Sequence, residues 1–459
     1  MIESVNLPGP EALDSPNLKA SMRKVALTAL AGTSIEWYDF FLYATAAALV
    51  FPAAFFPGSE PTIGLILSFS TFAFGFIARP LGGILFGHFG DRIGRKRTLV
   101  VALVLMGIAS TLIGLLPTYA TIGIAAPILL TVLRFAQGLA IGGQWGGAML
   151  LVTESAPPDK RGYYGAFAQA GAPVGVILAN LAFIAISAAV SDEFFFTWGW
   201  RIPFLASVIL IAISLYIQLH MEETDAFKEL KMARARLVLE QSNPTTTSIP
   251  RSPVLEALIK YPKRIALAAG AFLSIQVTFY ILIGFVLAYG GDPDGAAFPR
   301  TSLLAAVLIA SALQIPSQFL AAAYSDRRGR RGVFMLGAVL TAFWAFFLFP
   351  LIDTGDFFWL VVGCSGGLVF LGMMYGPQAA FFTELFSTEV RYSGASMGYQ
   401  IGAIVGGAFA PTIATILWTE YAIFWVSIYI AVASLLSLLS VVRLTETFQT
   451  SLHDDGSDD

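Results

Sequence analysis

Four side chains of the Asp, Glu, Lys or Arg type lie well inside long apolar segments of this 459-residue chain. They are Glu36, Asp39, Arg79 and Arg134. At the centre of a membrane-spanning helix such a group costs roughly 2.5–3.5 kcal/mol on insertion scales, so it usually faces a bundle interior or water. A carboxylate there can bind and release a proton, and a guanidinium presents a planar fork of donors that fits a carboxylate or phosphate.

The two acids share one face of the first apolar segment. Glu36, Asp39 and Tyr43 follow one another at single helical turns, which places them on one stripe. Asp39 and Arg134 fall near the middle of their segments, and Glu36 and Arg79 fall nearer one end, so one cavity could hold all four. Because of its depth, Asp39 is the first candidate for a proton site, and Glu36 is the second.

Two interpretations of these four residues stay open. They can form buried salt bridges between helices, and losing one partner of such a pair is expensive. Alternatively, one acid takes up a proton and an arginine becomes free for an anion, because the four charges then change from a sum of zero to net positive. The second interpretation predicts a small organic anion that enters with a proton. A zwitterion fits almost as well, with its carboxylate on arginine and its cation near the remaining acid.

Polar residues in other apolar segments could complete a substrate site. Each single one more often serves as an interhelical hydrogen-bonding group. Trp37, Tyr38 and Trp145 could shape an aromatic pocket, although interior aromatic residues are common packing groups. The predicted substrate contacts besides Arg79 and Arg134 are Tyr43, Gln137, Gln169, Gln276, Tyr280, Gln314, Tyr375 and Gln400.

Twelve apolar segments are long enough to position these residues on membrane-spanning helices. Charged residues make up 12% of the chain, whereas a soluble domain has roughly 25%. A helix needs about 20 residues to cross the hydrocarbon core. The segments are 26–50, 63–86, 98–116, 122–145, 163–188, 200–219, 265–289, 301–323, 333–351, 357–380, 394–417 and 422–442. The sequence therefore predicts an all-α integral membrane protein with twelve transmembrane helices.

The longest polar stretch divides these segments six and six, and the basic residues orient them. With both termini in the cytoplasm, 23 of the 27 Lys and Arg residues fall in cytoplasmic segments, as the positive-inside rule requires. The predicted parts are a cytoplasmic N-terminal tail (1–25), a six-helix bundle (26–220), a cytoplasmic linker (221–262), a second six-helix bundle (263–443) and an acidic cytoplasmic tail (444–459).

A charged motif recurs in the loop after the second segment of each half. In residues 87–97, Asp91 and Arg95 match Asp326 and Arg330 at one offset (326 − 91 = 235). A matched motif in the same place of each half indicates a duplicated bundle, which is the architecture of alternating-access transporters.

A second repeat follows the fourth segment of each half. Glu154 precedes Arg161 by seven residues, and Glu384 precedes Arg391 by the same distance. These acids and arginines can meet across the two halves and tie helix ends together. Setting the topology of the chain is the simpler role of the arginines.

These motifs resemble the major facilitator superfamily. Residues 87–97 look like its signature between helices two and three, and 134–138 like its fourth-helix motif. Residues 35–40, 79–83, 142–147 and 198–203 are similar to the metabolite–proton symporter branch, whose members carry shikimate, 2-oxoglutarate, citrate, or proline and betaine. One departure stands out, because Gln144 occupies a position where that branch usually has Glu.

The resemblance implies two pseudo-symmetric six-helix bundles and a cytoplasmic gate. In the family, residues at the positions of Asp91 and Arg95 tie helix ends together while the carrier faces outward. An aspartate suits such a place because free N–H groups at a helix N-terminus attract it. The predicted gating residues are Asp91, Arg95, Glu154, Arg161, Asp326, Arg330, Glu384 and Arg391.

The sequence thus predicts a proton-coupled symporter that imports a small organic acid or other carboxylate-bearing metabolite. The alternatives are uptake of a zwitterionic osmolyte, and export of a small drug in exchange for protons. No nucleotide loop, metal cluster or nucleophile motif is present, so we expect no enzyme activity, no metal site and no cofactor besides the coupling proton. We expect a monomer in a bacterial inner membrane, in contact with lipid and substrate and without a nucleic-acid partner.

Overall fold

Twelve long helices follow one another in the part of the chain that the structure describes. The computed structural model describes residues 16–93, 95–142, 149, 152–153, 156–220, 253–293, 295–386 and 391–448, with side chains at some helix ends left out. The helices are Pro16–Leu49 (α1), Pro61–Ile93 (α2), Arg95–Leu115 (α3), Ala125–Gly142 (α4), Arg161–Ala189 (α5), Arg201–His220 (α6), Pro262–Tyr280 (α7), Arg300–Arg328 (α8), Arg330–Ile352 (α9), Phe357–Glu384 (α10), Arg391–Gly402 (α11) and Ile423–Arg443 (α12).

Two of these helices continue through π-helical segments. After α7 the chain runs through Ile281–Phe285 and a last turn, Val286–Gly290. After α11 it runs through Ala403–Ala408 and then Ala410–Glu420. Such segments are rare and are frequently found at functional sites. Both belong to the second half of the chain, where α7 and α11 pack against each other.

Most of the helices are long and apolar enough to span a membrane. Within the described ranges nine pass on length and composition, and a tenth span consists of Asp192–Gly199 and Arg201–Ile213, bent by 49° at the break. The remaining two are α1, whose mean hydropathy is lowered by Glu36 and Asp39, and α3, whose apolar part is the shorter Val100–Leu115. The exposed large side chains on these helices are Leu, Ile, Val and Phe in the main, as lipid contact requires.

The helices pair in the same way in both halves of the chain. In the first half α1 packs on α5, α2 on α4 and α3 on α6; in the second half α7 packs on α11, α8 on α10 and α9 on α12. The two halves meet along α5–α8 and α2–α11, and these two pairs are also equivalent under the repeat. The predicted duplication is therefore visible in the packing.

Glycines let these helix pairs approach closely. A Cβ atom on Gly175 of α5 would lie 2.6 Å from Cβ of Trp37 in α1. On α11, a Cβ atom on Gly402 would lie 2.8 Å from the carbonyl oxygen of Ala269 in α7. Small residues at such crossings increase contact between helices in lipid. These glycines thus have the packing role that their repetition suggests.

The helix ends differ from the sequence prediction in two places. Helix α1 begins at Pro16, inside the segment predicted as a tail, and a short helix, Pro253–Lys260, lies in the predicted linker. The second copy of the charged motif is almost entirely helical rather than a loop, because only Gly329 separates the end of α8 from the start of α9. Gly329 makes that connection with a φ of 101°, a conformation that glycine adopts without strain.

Candidate functional site

Two buried arginines contact one aromatic ring in the first bundle. The guanidinium carbon of Arg79 lies 4.3 Å from the centre of the Phe40 ring, and that of Arg134 lies 4.0 Å from it. Arg79 also contacts Phe76 at 4.3 Å, and Arg134 contacts Tyr43 at 4.3 Å. Aromatic faces attract cations, and the attraction strengthens when water is excluded. Helix α1 thus supplies the ring that holds arginines from α2 and α4 close together.

The two arginines differ in their hydrogen bonds. Arg134 Nη1 donates to Gln137 Oε1 at 3.0 Å, and Gln137 Nε2 donates to Ser110 Oγ at 2.7 Å. None of the three guanidinium nitrogens of Arg79 has a hydrogen-bond partner, although the residue is only 1% exposed. A buried cation without a partner is costly. Arg134 Nε and Nη2 also lack a partner, so Arg79 has three free donor nitrogens and Arg134 has two.

Asp39 is buried without an arginine partner. Its exposed fraction is 1%, and neither carboxylate oxygen accepts a hydrogen bond. The salt bridges that the sequence left open between this acid and Arg79 or Arg134 are not formed, because both guanidinium groups lie on aromatic rings instead. Glu36, one turn away, is partly buried. An isolated buried carboxyl group is stable as the neutral acid, so this position suits a proton carrier.

A small aromatic cavity lies where the two bundles meet. Its solvent-accessible volume is about 10 Å³, enough for roughly one water molecule. The lining comes from α1, α5, α7, α10 and α11. The lining residues are Trp37, Phe41, Ala172, Ile275, Gln276, Phe279, Tyr280, Leu371, Tyr375 and Tyr399. Transporters with repeated bundles bind their substrates at such an interface.

The four acidic and basic residues of the predicted site, Glu36, Asp39, Arg79 and Arg134, are not part of the lining of this cavity. Trp37 lines the cavity and also contacts Arg79, with 5.4 Å between the ring centre and the guanidinium carbon. Phe76 contacts Arg79 on one side and the cavity residue Tyr280 on the other, with 5.0 Å between the ring centres. Trp37 and Phe76 therefore lie between the cavity and Arg79. The shared cavity expected from the sequence is thus divided by aromatic side chains in this structure.

Three of the predicted substrate contacts line the cavity: Gln276, Tyr280 and Tyr375. Tyr399 lines the cavity as well, and the sequence prediction missed it. Its place beside the other lining residues depends on the packing of α11 on α7. Gln276 Nε2 has no hydrogen-bond partner, so it is available as a donor.

The other predicted contacts are buried among helices. Tyr43 shares a hydrogen bond with Thr71 Oγ1 at 2.7 Å. Gln169 Nε2 donates to Gln378 Oε1 at 2.7 Å and so joins α5 to α10 across the two bundles. Gln314 is fully buried and neither side-chain polar atom has a partner, and Gln400 Oε1 has none either. Tyr43 and Gln169 therefore have the interhelical hydrogen-bonding role that the sequence analysis gave as the more common one.

A buried charge cluster joins the bundles at the end predicted to be cytoplasmic. Asp326, at the end of α8, accepts hydrogen bonds from the backbone N–H groups of Gly162 and Tyr163 at 2.8 and 2.7 Å. These N–H groups belong to the free N-terminus of α5, where the helix dipole favours an anion. Arg330 forms an ion pair with Asp326 and also donates to Glu384 at 3.1 and 3.2 Å.

Of the two repeated arginines, Arg161 contacts this cluster and Arg391 binds the backbone at the end of α10. Arg161 Nη1 lies 4.0 Å from Glu384 Oε1, across the two halves. Arg391 Nε donates to the carbonyl oxygen of Thr383 at 3.0 Å. Among the other predicted gating residues, Glu154 and the side chains of Asp91 and Arg95 lie outside the described residues.

The C-terminal segment completes the cluster, which the sequence prediction missed. Glu446 accepts hydrogen bonds from the backbone N–H groups of Arg330 and Arg331 at 2.9 and 3.0 Å, and so caps the N-terminus of α9. Thr447 donates to Glu384 at 2.8 Å. In the sequence, Glu446 follows the last apolar segment closely and belongs to the predicted acidic tail. Its contact with α9 is seen only in the structure, where the chain folds back against that helix.

This fold and this arrangement of charges define a class of protein. The chain matches the Major Facilitator Superfamily over residues 29–396 and belongs to that family. It is therefore a multi-pass membrane transporter and not an enzyme, and the resemblance found in its motifs is confirmed.

Several characterised or named relatives are similar over almost the whole chain. The chain is 40% identical over 438 residues to the inner membrane metabolite transport protein YhjE of Escherichia coli strain K12, covering 94% of this chain and 96% of the relative. It is 40% identical over 435 residues to the shikimate transporter of that organism, with 93% and 95% covered. It is 31% identical over 427 residues to the proline/betaine transporter of that organism, with 93% and 84% covered.

A solved structure has the same fold. The proton:xylose symporter XylE bound to 6-bromo-6-deoxy-D-glucose matches with a TM-score of 0.71 and 17% sequence identity, over 95% of this chain and 98% of that one. At this identity the likeness concerns the fold alone. The twelve-helix architecture predicted from the sequence is confirmed.

Proposed function

We propose that this chain is a proton symporter that imports a small carboxylate-bearing metabolite by alternating access. The observation that carries the proposal is Arg79, a buried guanidinium without a hydrogen-bond partner beside an aromatic cavity between the bundles. A carboxylate fits the fork of such a group in two parallel hydrogen bonds. The shikimate transporter among the relatives supports this class of substrate.

Asp39 is the proposed proton site, with Glu36 as the second candidate. Asp39 is buried and unpaired, and its protonation leaves the two arginines with a net positive charge for the substrate. When the cavity opens to water, the carboxyl group can ionise and release its proton. Loading of the anion and of the proton thus favour each other, which is the requirement for symport.

A zwitterionic osmolyte is the second candidate substrate. The rings of Trp37, Tyr280 and Tyr399 line the cavity, and aromatic rings bind quaternary ammonium groups through cation–π interactions. The carboxylate of such a compound would still bind Arg79. The proline/betaine transporter among the relatives supports this alternative.

The test is a proton-flux assay on the purified chain in liposomes with a pH-sensitive dye inside. The compounds are shikimate, 2-oxoglutarate, benzoate, proline and betaine, each added outside. We expect inward acidification with one acid, and its loss in Asp39→Asn. Acidification with betaine or proline alone would support the osmolyte instead. Alkalinisation driven by a compound would mean proton exchange and would contradict symport.

The proposed cytoplasmic gate consists of Asp326, Arg330, Glu384 and Arg161, together with the equivalent residues of the first half. Its basis is the contact of Asp326 with the N-terminus of α5, since this contact must break when the cavity opens at that end. In this proposal both termini lie in the cytoplasm of a bacterium and the monomer is the transporting unit. The distribution of Lys and Arg supports the orientation.

A further inference from the structure

Arg300 is the first residue of α8, and it contacts the other bundle in three ways. Its Nε donates to Ser187 Oγ at 3.0 Å, and its Nη2 donates to Asp192 Oδ1 at 2.8 Å. Its guanidinium carbon lies 3.8 Å from the centre of the Phe195 ring. Ser187 lies in the last turn of α5, and Asp192 and Phe195 follow in the connection to α6. A single side chain therefore joins the second bundle to the first at this end.

The charge cluster of Asp326 joins the same two helices at their opposite ends. Arg300 and Asp326 are 26 residues apart on α8 (326 − 300 = 26), or about 39 Å at 1.5 Å per residue. Between them, Asn180 donates to the carbonyl oxygen of Leu304 at 3.3 Å, and Gln318 donates to that of Ala166 at 3.0 Å. Helices α5 and α8 are thus tied at both ends, and Ala172 of α5, between the two ties, lines the cavity.

We propose that Arg300 is the gating residue at the end opposite to Asp326, where it holds the cavity closed to the outside. This role rests on the proposed alternating access, because a carrier must open one end while the other stays closed. The two ties then bias one equilibrium in opposite directions. Loss of Arg300 favours opening to the outside, and loss of Asp326 favours opening to the cytoplasm.

The contact with the aromatic ring is the main part of this tie. The side chain of Asp192 is 81% exposed, whereas that of Arg300 is 16% exposed. Ion pairs with exposed partners contribute little. Phe195 is fully buried, and stacking of a planar guanidinium on such a ring is a contact that lysine does not reproduce. Arg300→Lys should therefore behave like Arg300→Gln rather than like the parent chain.

The test measures how fast a cysteine in the cavity reacts from outside. In a Cys364→Ser background, Ala172→Cys places a thiol in the cavity lining, and intact cells are treated with a membrane-impermeant maleimide. We expect Arg300→Gln to speed labelling by about five-fold, which corresponds to about 1 kcal/mol in a two-state equilibrium. Glu193→Gln, a change of the exposed acid next to Asp192, is the matched control and should leave the rate unchanged.

A double variant separates gating from a loss of structure. Adding Asp326→Asn to Arg300→Gln should return the labelling rate toward that of the parent, since a gate at each end is then weakened. A merely destabilised protein would label faster still. If Arg300→Gln does not reach the membrane, Phe195→Leu removes the same contact and should give the same acceleration.

An Arg300→Gln rate equal to that of the parent and of Glu193→Gln would overturn the proposal. Full restoration by Arg300→Lys would overturn the part assigned to the Phe195 ring, and would reduce the tie to simple charge. The labelling assay needs neither substrate nor proton flux, so its result is independent of the liposome assay of the proposed function. Faster labelling in Arg300→Gln, together with no proton flux in the liposome assay, would remove the proposed symport and keep the gate.

Discussion

Phe40 brings two guanidinium groups into contact with one ring, although both carry the same charge. The distances are 4.3 Å from Arg79 and 4.0 Å from Arg134. Contacts with aromatic rings offset part of the cost of burying these cations. Arg134 is further satisfied by Gln137, and Arg79 has no such bond. At the scale of single residues, therefore, the two arginines differ in their hydrogen bonds, and the proposed function assigns the substrate carboxylate to Arg79.

Arg79→Lys tests this division. We expect the apparent affinity for the substrate to fall at least about ten-fold, because lysine lacks both the planar fork and the stacking surface. Binding would be measured by substrate counterflow in liposomes. Arg443→Lys, at the exposed end of α12, is the control and should keep the parent affinity. An unchanged affinity in Arg79→Lys would remove Arg79 from substrate binding.

Asp39→Asn tests the proton site. We expect proton-driven accumulation to fall at least about ten-fold while substrate exchange persists, because asparagine has nearly the shape of aspartic acid but cannot carry a proton. Accumulation and counterflow of one labelled substrate would be compared. Asp159→Asn, on the surface at 70% side-chain exposure, is the control. Normal accumulation in Asp39→Asn would show that the proton travels elsewhere.

At the scale of elements, the crossing of α2 and α4 decides how close the arginines come. Helix α4 passes so near to α2 that a Cβ atom on Gly138 would collide with the backbone of Gly75, and one on Gly142 with the backbone of Arg79. Gly138 and Gly142 are four residues apart, a spacing that lets helix backbones approach in lipid. This contact fixes the depth of Arg79 relative to Arg134.

Gly138→Ala should separate these two helices. We expect a loss of about 1–3 kcal/mol in stability, the usual cost of overpacking, since the obstructing atoms are backbone and cannot turn away. Thermal unfolding in detergent would show a lower melting temperature. Gly332→Ala is the matched control, because a Cβ atom there meets nothing within 4 Å. Equal melting temperatures for the two variants would contradict the close crossing.

At the scale of the whole molecule, contacts between the bundles exist at both ends of the cavity. Asp326 joins them at one end and Arg300 at the other. A cavity with room for about one water molecule lies between. The structure is thus a closed arrangement of the two bundles, and either opening requires one set of contacts to break.

Asp326→Asn tests the predicted cytoplasmic end. We expect a cysteine at Ala172 to react several-fold faster with an impermeant maleimide in inside-out vesicles, because the ion pair with Arg330 and one charged acceptor at the α5 N-terminus are lost. Arg327→Gln, on the exposed side of the same helix end, serves as the control. Labelling at the parent rate would mean that this cluster supports the fold without gating it.

The sequence alone determined the class of the fold and the inventory of charges. Segment length and hydropathy are local properties, so the helices follow from composition without knowledge of their partners. The repeated motifs at Asp91 and Asp326 revealed the duplication, and the cost of a charge in lipid identified Asp39, Arg79 and Arg134. Each apolar segment and each copy of the motif is recognised from residues that are near one another in the chain, and the duplication follows from comparing the two copies.

Only the tertiary structure decided how those charges are paired. The sequence allowed Asp39 to meet an arginine, but both guanidinium groups contact aromatic rings, because the α2–α4 crossing carries them to Phe40. Glu446 binds the backbone N–H group of Arg330, and Arg300 binds Asp192. Both partners are more than 100 residues away in the chain. Such pairings depend on crossing distances between helices, which the side chains of many elements determine together and which no single segment encodes.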